Sequence, residues 1–289
     1  MLLKDFLSEG VKALGPLYPA SEAHSIMQML CEERLGTKSY THILEPGYTI
    51  RPEDVPVLAS DMERLVSGEP IQQVIGKAWF FGEEFRVTPD VLIPRPETEI
   101  LCQEAIRICS GKQSAPRILD LCTGSGCISW TLAMAIPGAE VIGVDISDKA
   151  LEVASTQDFK ARIEGSGARA PRFIHADVLD TEQSFDHGMF DLIVSNPPYV
   201  MDSQKAQMRV NVLEHEPGLA LFVPDEDPLL FYRAIARWSR RFLAEGGKGI
   251  TEINDLLGPE TAAVFSAAGF ASAEVIKDLS GRNRFILYS

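Results

Sequence analysis

Between residues 1 and 68 apolar positions recur every three or four places. Leu2, Leu3, Phe6, Leu7, Val11 and Leu14 trace one stripe, which Gly15-Pro16 ends. Ala23, Ile26, Met27, Leu30 and Cys31 trace a second within 21–35, stopped by Gly36. Val55, Leu58, Met62, Leu65 and Val66 trace a third, opened by Pro52 and closed by Gly68. That spacing is the period of an amphipathic helix, with proline at the entrance and glycine at the exit. It predicts a small all-helical domain over 1–68, either a substrate-recognition module or a stabilising cap.

From 69 to 94 the period shortens. Ile71, Val74, Ile75, Trp79, Phe80, Phe81, Phe85 and Val87, broken by Gly76 and Gly82, predict a β-hairpin linker. Pro94-Arg95-Pro96-Glu97-Thr98-Glu99 then opens a helix, its acids suited to the helix dipole. Beyond it, over 95–289, strands at 117–121, 140–145, 172–176 and 190–195 alternate with helices at 126–136 and 148–163. Helix 228–244, strand 248–253, helix 257–268 and strands at 273–278 and 283–288 complete the count. This alternation predicts an α/β domain with a mostly parallel, seven-stranded, Rossmann-like sheet, finished by an antiparallel pair around Gly281. The run 246–252 is rich in glycine and weak as a strand.

One stretch reads either as a strand followed by a rigid polar turn or as a binding site. Phe190 to Val194 reads as a buried strand and runs into Ser195-Asn196-Pro197-Pro198-Tyr199. Two prolines cannot donate to a sheet ladder, so the strand stops at Asn196. A carboxamide, a proline carbonyl and an aromatic ring are left at the carboxyl end of a strand, where open α/β sheets bind ligands. The Asn196 side-chain oxygen and the Pro197 carbonyl can each accept one hydrogen bond from a substrate NH₂, with Tyr199 stacked on the planar group. Nothing in the set ionises, so it suits an electrophile that is already activated.

A source for that electrophile lies upstream. Ile118 to Ile128 encode a strand, the turn Cys122-Thr123-Gly124-Ser125-Gly126 and a helix start, whose free N–H groups favour a polar ligand. Val141 to Asp145 end a second strand on an acid able to accept both hydroxyls of a ribose, with Ile146 next to it. Asp177-Val178, after a third strand, offers a carboxylate to an adenine amino group. A dinucleotide fits poorly: Ser129 occupies the third glycine position, and no hydride-transfer partner accompanies the loop. S-adenosylmethionine fits better, because its sulfonium methyl is the missing electrophile.

Composition narrows the acceptor. The net charge is −14, whereas nucleic-acid binders usually carry a basic face, so a protein or small molecule is favoured. The Arg233, Arg237, Arg240, Arg241 group reads as a solvated helix face. Five cysteines without a Cys-x-x-Cys pair, and five scattered histidines, predict no metal site. No run of about 18 apolar residues predicts a membrane span. The N-terminus lacks a basic start and apolar core, so a cytoplasmic protein is expected.

Taken together, residues 92–99, the Asp120-to-Gly126 loop, Asn196-Pro197-Pro198-Tyr199, Glu214-His215-Glu216-Pro217 and Leu229-Leu230-Phe231-Tyr232 make the chain similar, end to end, to the HemK/PrmC family. That resemblance implies a class I S-adenosylmethionine-dependent methyltransferase acting on the glutamine of class I peptide-chain release factors. It implies donor contacts from Cys122, Thr123, Gly124, Ser125, Gly126, Asp145, Ile146, Asp177, Val178 and Asn196, with Arg95 and Glu97 on the adjoining loop. Substrate contacts would come from Asn196, Pro197, Pro198, Tyr199 and Glu216, with Asn196, Pro197 and Tyr199 at the chemistry. A monomer without stable nucleic-acid binding is expected. The tetrapeptide alone is shared with amino-methyltransferases of DNA adenine and rRNA guanine, which remain the alternative. Cys122 stands where many relatives have glycine, a change the turn tolerates if that position needs no positive φ.

Overall fold

The computed structural model describes all residues except 111–113, 181 and 279. The chain divides into two compact units: Met1–Lys77 with Met208–His215, and Ala78–Gln207 with Glu216–Ser289.

In the first unit, helices Leu3–Leu14, Ala20–Leu35 and Val55–Val66 follow the three apolar stripes. Leu14, Met27, Leu30 and Leu65 are fully buried between them. Two short helices, Thr41–Leu44 and Val210–His215, belong to the same unit. Residues expected to begin the hairpin form a further helix, Ile71–Ile75. The reason is legible afterwards: Ile71, Val74 and Ile75 are spaced for a helical face, Pro70 precedes them, and Gly76 follows at φ 80°. The β-branched composition pointed the other way. Arg34 and Arg64 both donate to the Val74 carbonyl, at 3.0 and 3.1 Å, closing the end of this helix. Arg34 also pairs with the buried Asp61 at 2.7 Å, and Arg64 with Glu69 at 2.5 Å.

The second unit opens with the hairpin β1 (Lys77–Phe80) and β2 (Glu83–Arg86), β1 beginning on the last residue of the first unit. Its two-residue turn has positive φ at both Phe81 and Gly82, as a twisted hairpin requires. Phenylalanine is unusual there; the Glu99 carboxylate accepts its backbone N–H at 2.9 Å.

The remaining strands are β3 (Arg117–Leu121), β4 (Glu140–Asp145), β5 (Arg172–His175), β6 (Phe190–Ser195), the short pair β7 (Val200–Met201) and β8 (Phe222–Val223), β9 (Leu243–Glu252), β10 (Ala273–Lys277) and β11 (Asn283–Tyr288). Among the described residues seven of these form one sheet, in the order β10-β11-β9-β6-β3-β4-β5. Strands β9 to β5 run parallel, whereas β11 is antiparallel to both β9 and β10. The expected α/β sheet is therefore present. Strand β9 is longer than the sequence suggested, starting at Leu243 directly after helix Leu230–Phe242.

Helix Pro96–Cys109 and helix Cys127–Ala135 pack together on one face around Leu101, Cys102, Ile128 and Leu132. Helices Leu230–Phe242 and Gly258–Ala267 cover the other face, with Tyr232, Trp238, Phe265 and Tyr288 in its core. The predicted helix 148–163 is interrupted: Asp148–Ser155 ends before Gln157, and Lys160–Ile163 follows. The interruption turns the buried Gln157 amide inward. It accepts from Arg86 N and donates to Arg86 O and Ser125 O at 2.8, 3.0 and 3.1 Å, tying the hairpin to the glycine turn.

The chain leaves β3 for β4 and β5 on one side, then crosses to β6 on the other. The carboxyl end of β3 is thus the switch point of the sheet, where a crevice opens between diverging connections.

Candidate functional site

At that switch point lies a cleft of ≈ 1040 Å³, counting its open mouth. Most of the anticipated residues line it: Arg95, Cys122, Thr123, Gly124, Ser125, Asp145, Ile146, Asp177, Val178, Asn196 and Pro198. Its walls also include Val91, Leu92 and Pro94 from the hairpin side, Leu219 and Ala220, and Phe231.

The turn after β3 is held from beneath. Asp120, fully buried, accepts from the Thr123 and Ser129 hydroxyls on one carboxylate oxygen, at 2.6 and 2.7 Å. Its other oxygen, Oδ1, has no partner among the described residues. Burial pushes this carboxyl up to about 7; the two hydroxyls oppose the rise and the Asp145 charge adds to it. The folded state therefore holds the proton more tightly than the unfolded chain between pH ~4 and ~7, and stability falls as pH rises through that window. The cost should reach roughly 4 kcal/mol, three pKa units at about 1.4 kcal/mol each. Asp120→Asn should remove it. Measured by urea unfolding, the variant's stability relative to the parent should rise between pH 4.5 and 8; parallel pH dependences would contradict this assignment.

Three residues of the turn have positive φ: Cys122 at 63°, Gly124 at 55° and Gly126 at 77°. The tolerance expected for Cys122 on a negative φ is thus overturned, since this side chain occupies the left-handed conformation glycine takes freely. Gly126 cannot be replaced, because a Cβ there would meet Ala154 and Phe173 at 2.9 and 3.0 Å. A Cβ on Gly124 would meet nothing within 4 Å, so this glycine faces open space that a ligand can enter.

Asp145, at the end of β4, accepts the Gly124 N–H on one oxygen and the Ser147 N–H on the other, each at 2.9 Å. Each oxygen keeps a second lone pair for a ligand hydroxyl. After β5, the Asp177 carboxylate accepts the Leu179 N–H at 2.8 Å, while the Val178 carbonyl is occupied by the Trp238 indole at 3.0 Å. Val178 therefore offers the cleft an apolar wall, and Ile146, 42 % exposed, lines it as well.

At the end of β6 the Asn196 carboxamide donates its NH₂ to the Thr98 hydroxyl at 3.0 Å. Its carbonyl oxygen has no hydrogen-bond partner among the described residues. Pro197 is buried and is not among the residues lining the cleft; its carbonyl accepts no backbone hydrogen bond among the described residues. Tyr199 lies outside the cleft lining, and its hydroxyl donates to Glu252 at 2.8 Å.

Three other anticipated residues lie outside the lining. Gly126 caps the helix Cys127–Ala135. Glu97 is exposed in the first turn of helix Pro96–Cys109. The Glu216 side chain is 1 % exposed; it pairs with Arg95 at 2.5 Å and accepts the Ile93 N–H at 3.2 Å. These bonds hold the Ile93–Arg95 segment in place, and Glu216 itself is not among the residues lining the cleft. Thr98 and Glu252 were missed. Thr98 sat inside a motif already singled out, whereas Glu252 gave no local signal. Among the described residues there is no cluster of His, Cys, Asp and Glu able to hold a metal ion, and no helix long and apolar enough to cross a membrane.

A family model described as "Methyltransferase domain" matches residues 112–237. The chain is 37% identical to the release factor glutamine methyltransferase of Flavobacterium psychrophilum over 290 residues, 99% of this chain and 98% of that one. Its identity to the enzyme of the same name from Bacteroides thetaiotaomicron is 37% over 277 residues, 95% of each chain. A crystal structure of the release factor-specific protein-(glutamine-N5) methyltransferase from Alicyclobacillus acidocaldarius is 31% identical, covering 71% of this chain and 98% of that one, with a TM-score of 0.41.

Proposed function

The chain belongs to the release factor glutamine methyltransferase family, and we propose that it transfers a methyl group from S-adenosylmethionine to the side-chain amide nitrogen of the Gly-Gly-Gln glutamine in class I peptide-chain release factors. The observation that carries this reading is the Asn196 carboxamide. Its NH₂ is engaged by Thr98 and its oxygen is left to accept, on the wall of a cleft built for a nucleoside.

The residues present fit the donor. Asp145 has a free lone pair on each oxygen for the ribose, Gly124 leaves the approach to the turn open, and Ile146 and Val178 offer apolar surface to the base. S-adenosylmethionine, when bound, supplies a methyl group on a sulfonium, already activated for attack. The chain's own task is positioning and fixed dipoles. Asn196 Oδ1 accepts one N–H of the substrate amide and the Pro197 carbonyl accepts the other, which orients the nitrogen lone pair towards the donor side of the cleft. Pro198 closes the wall. Tyr199, held through its hydroxyl, fixes the end of the tetrapeptide. No side chain needs to remove a proton before attack, because the methylated nitrogen sheds its proton afterwards.

The deciding experiment offers labelled S-adenosylmethionine to purified release factor, with total RNA and DNA as parallel acceptors. Label should enter the protein and vanish when the Gly-Gly-Gln glutamine is changed. Label confined to nucleic acid would replace the substrate class, and no label in any acceptor would end the catalytic reading.

A further inference from the structure

We infer that Glu252, acting through the Thr98 hydroxyl, sets which end of the Asn196 carboxamide faces the substrate. The inference deepens the proposed amide-acceptor role and rests on it.

An asparagine carboxamide is nearly symmetric in shape, yet its two ends do opposite things: oxygen accepts and NH₂ donates. An amide-binding site works with the oxygen outward and fails with the NH₂ outward, so something must break the symmetry. Parallel pairing of β6 with β9 puts Ser195 opposite Thr251, so Asn196 and Glu252 are the next residues along two neighbouring strands. Thr98, in the first turn of helix Pro96–Cys109, fills the space between them and is 2 % exposed. Its hydroxyl lies 2.8 Å from Glu252 Oε2 and 3.0 Å from Asn196 Nδ2.

A hydroxyl has one proton. In its ionised form the Glu252 carboxylate can only accept, so Thr98 spends that proton on Glu252 and offers Asn196 lone pairs alone; burial raises this carboxyl's pKa, and the Thr98 and Tyr199 hydroxyls and the Arg284 charge oppose the rise. Asn196 must answer with its NH₂, and Oδ1 is turned outward. With Asn196 flipped, two acceptors would face each other and a buried donor would be missing. The second carboxylate oxygen of Glu252 accepts from Tyr199 at 2.8 Å. One buried carboxylate, with Arg284 nearby as a positive charge, therefore anchors both ends of the 196–199 segment. Thr98 and Glu252 are positioning residues in this scheme.

The test compares Thr98→Val, which keeps shape and removes the hydroxyl, with Thr98→Ser, which restores it. Two readouts are taken on folded protein: kcat for methyl transfer to release factor, and solvent exchange of the Asn196 Nδ2 protons by NMR, assigned by their loss in Asn196→Ala. Thr98→Val should lower kcat at least tenfold and speed the exchange at least tenfold. Thr98→Ser should return both to within threefold of the parent, a rescue that a purely packing role would not require. Glu252→Met, similar in length but without a hydrogen-bond acceptor for the Thr98 hydroxyl, should reproduce both losses and serves if Thr98→Val does not fold. Exchange as slow in Thr98→Val or Glu252→Met as in the parent would overturn the inference, as would unchanged kcat. The exchange measurement needs no acceptor: were the parent to methylate no release factor, the proposed function would fall while this readout still decided the orientation of Asn196.

Discussion

Asn196→Ala should lower kcat for methyl transfer by about 10²–10³-fold, the usual loss when one fixed polar partner of a reacting group is removed. The variant loses the outward-facing oxygen that orients the substrate amide, and it leaves the Thr98 hydroxyl without its donor. The donor keeps its contacts at the turn 122–126 and at Asp145, so the variant should still bind S-adenosylmethionine. Single-turnover kinetics with saturating donor separate the two effects. Turnover close to that of the parent would remove Asn196 from the chemistry.

Asp145→Ala should act on the other half of the site. Two hydrogen bonds from ribose hydroxyls to a carboxylate, at about 1.5 kcal/mol each, correspond to about 3 kcal/mol, or roughly a 100-fold weaker donor Kd. Because Asp145 also receives the Gly124 and Ser147 N–H groups, its loss loosens the turn it holds as well as the ligand contact. Isothermal titration calorimetry with S-adenosylmethionine gives the number directly, and an unchanged Kd would refute the ribose assignment.

Comparison of chain and structure shows which kinds of information are local. The ends of β3, β4 and β6 could be read because each is a largely apolar run followed by a glycine turn, an acid or a proline pair, and those residues include ones that line the cleft. The cleft lining was therefore mostly foreseen. The helix Ile71–Ile75 was missed because β-branched residues at helical spacing satisfy two patterns at once, and the deciding contacts come from Arg34 and Arg64. The pairing of Glu216 with Arg95 was not foreseen, because no sequence pattern tells which arginine a carboxylate meets. Glu252 was beyond reach: it meets Thr98 across 154 positions of chain, through a strand pairing that glycines at 246, 247 and 249 made hard to foresee.

The left-handed residue at the head of the cofactor turn has a chemical side as well as a conformational one. Cys122, which carries sulfur, a soft nucleophile, is among the residues lining a pocket made for an alkylating agent. Only the thiolate attacks quickly. Burial, reinforced by the negative charges of Asp145 and Asp120, holds the Cys122 thiol well above its ordinary range, so at neutral pH it keeps its proton. Burial, with the neighbouring carboxylates adding to it, thus keeps this sulfur a poor methyl acceptor and leaves the glutamine of a partner to receive the methyl group.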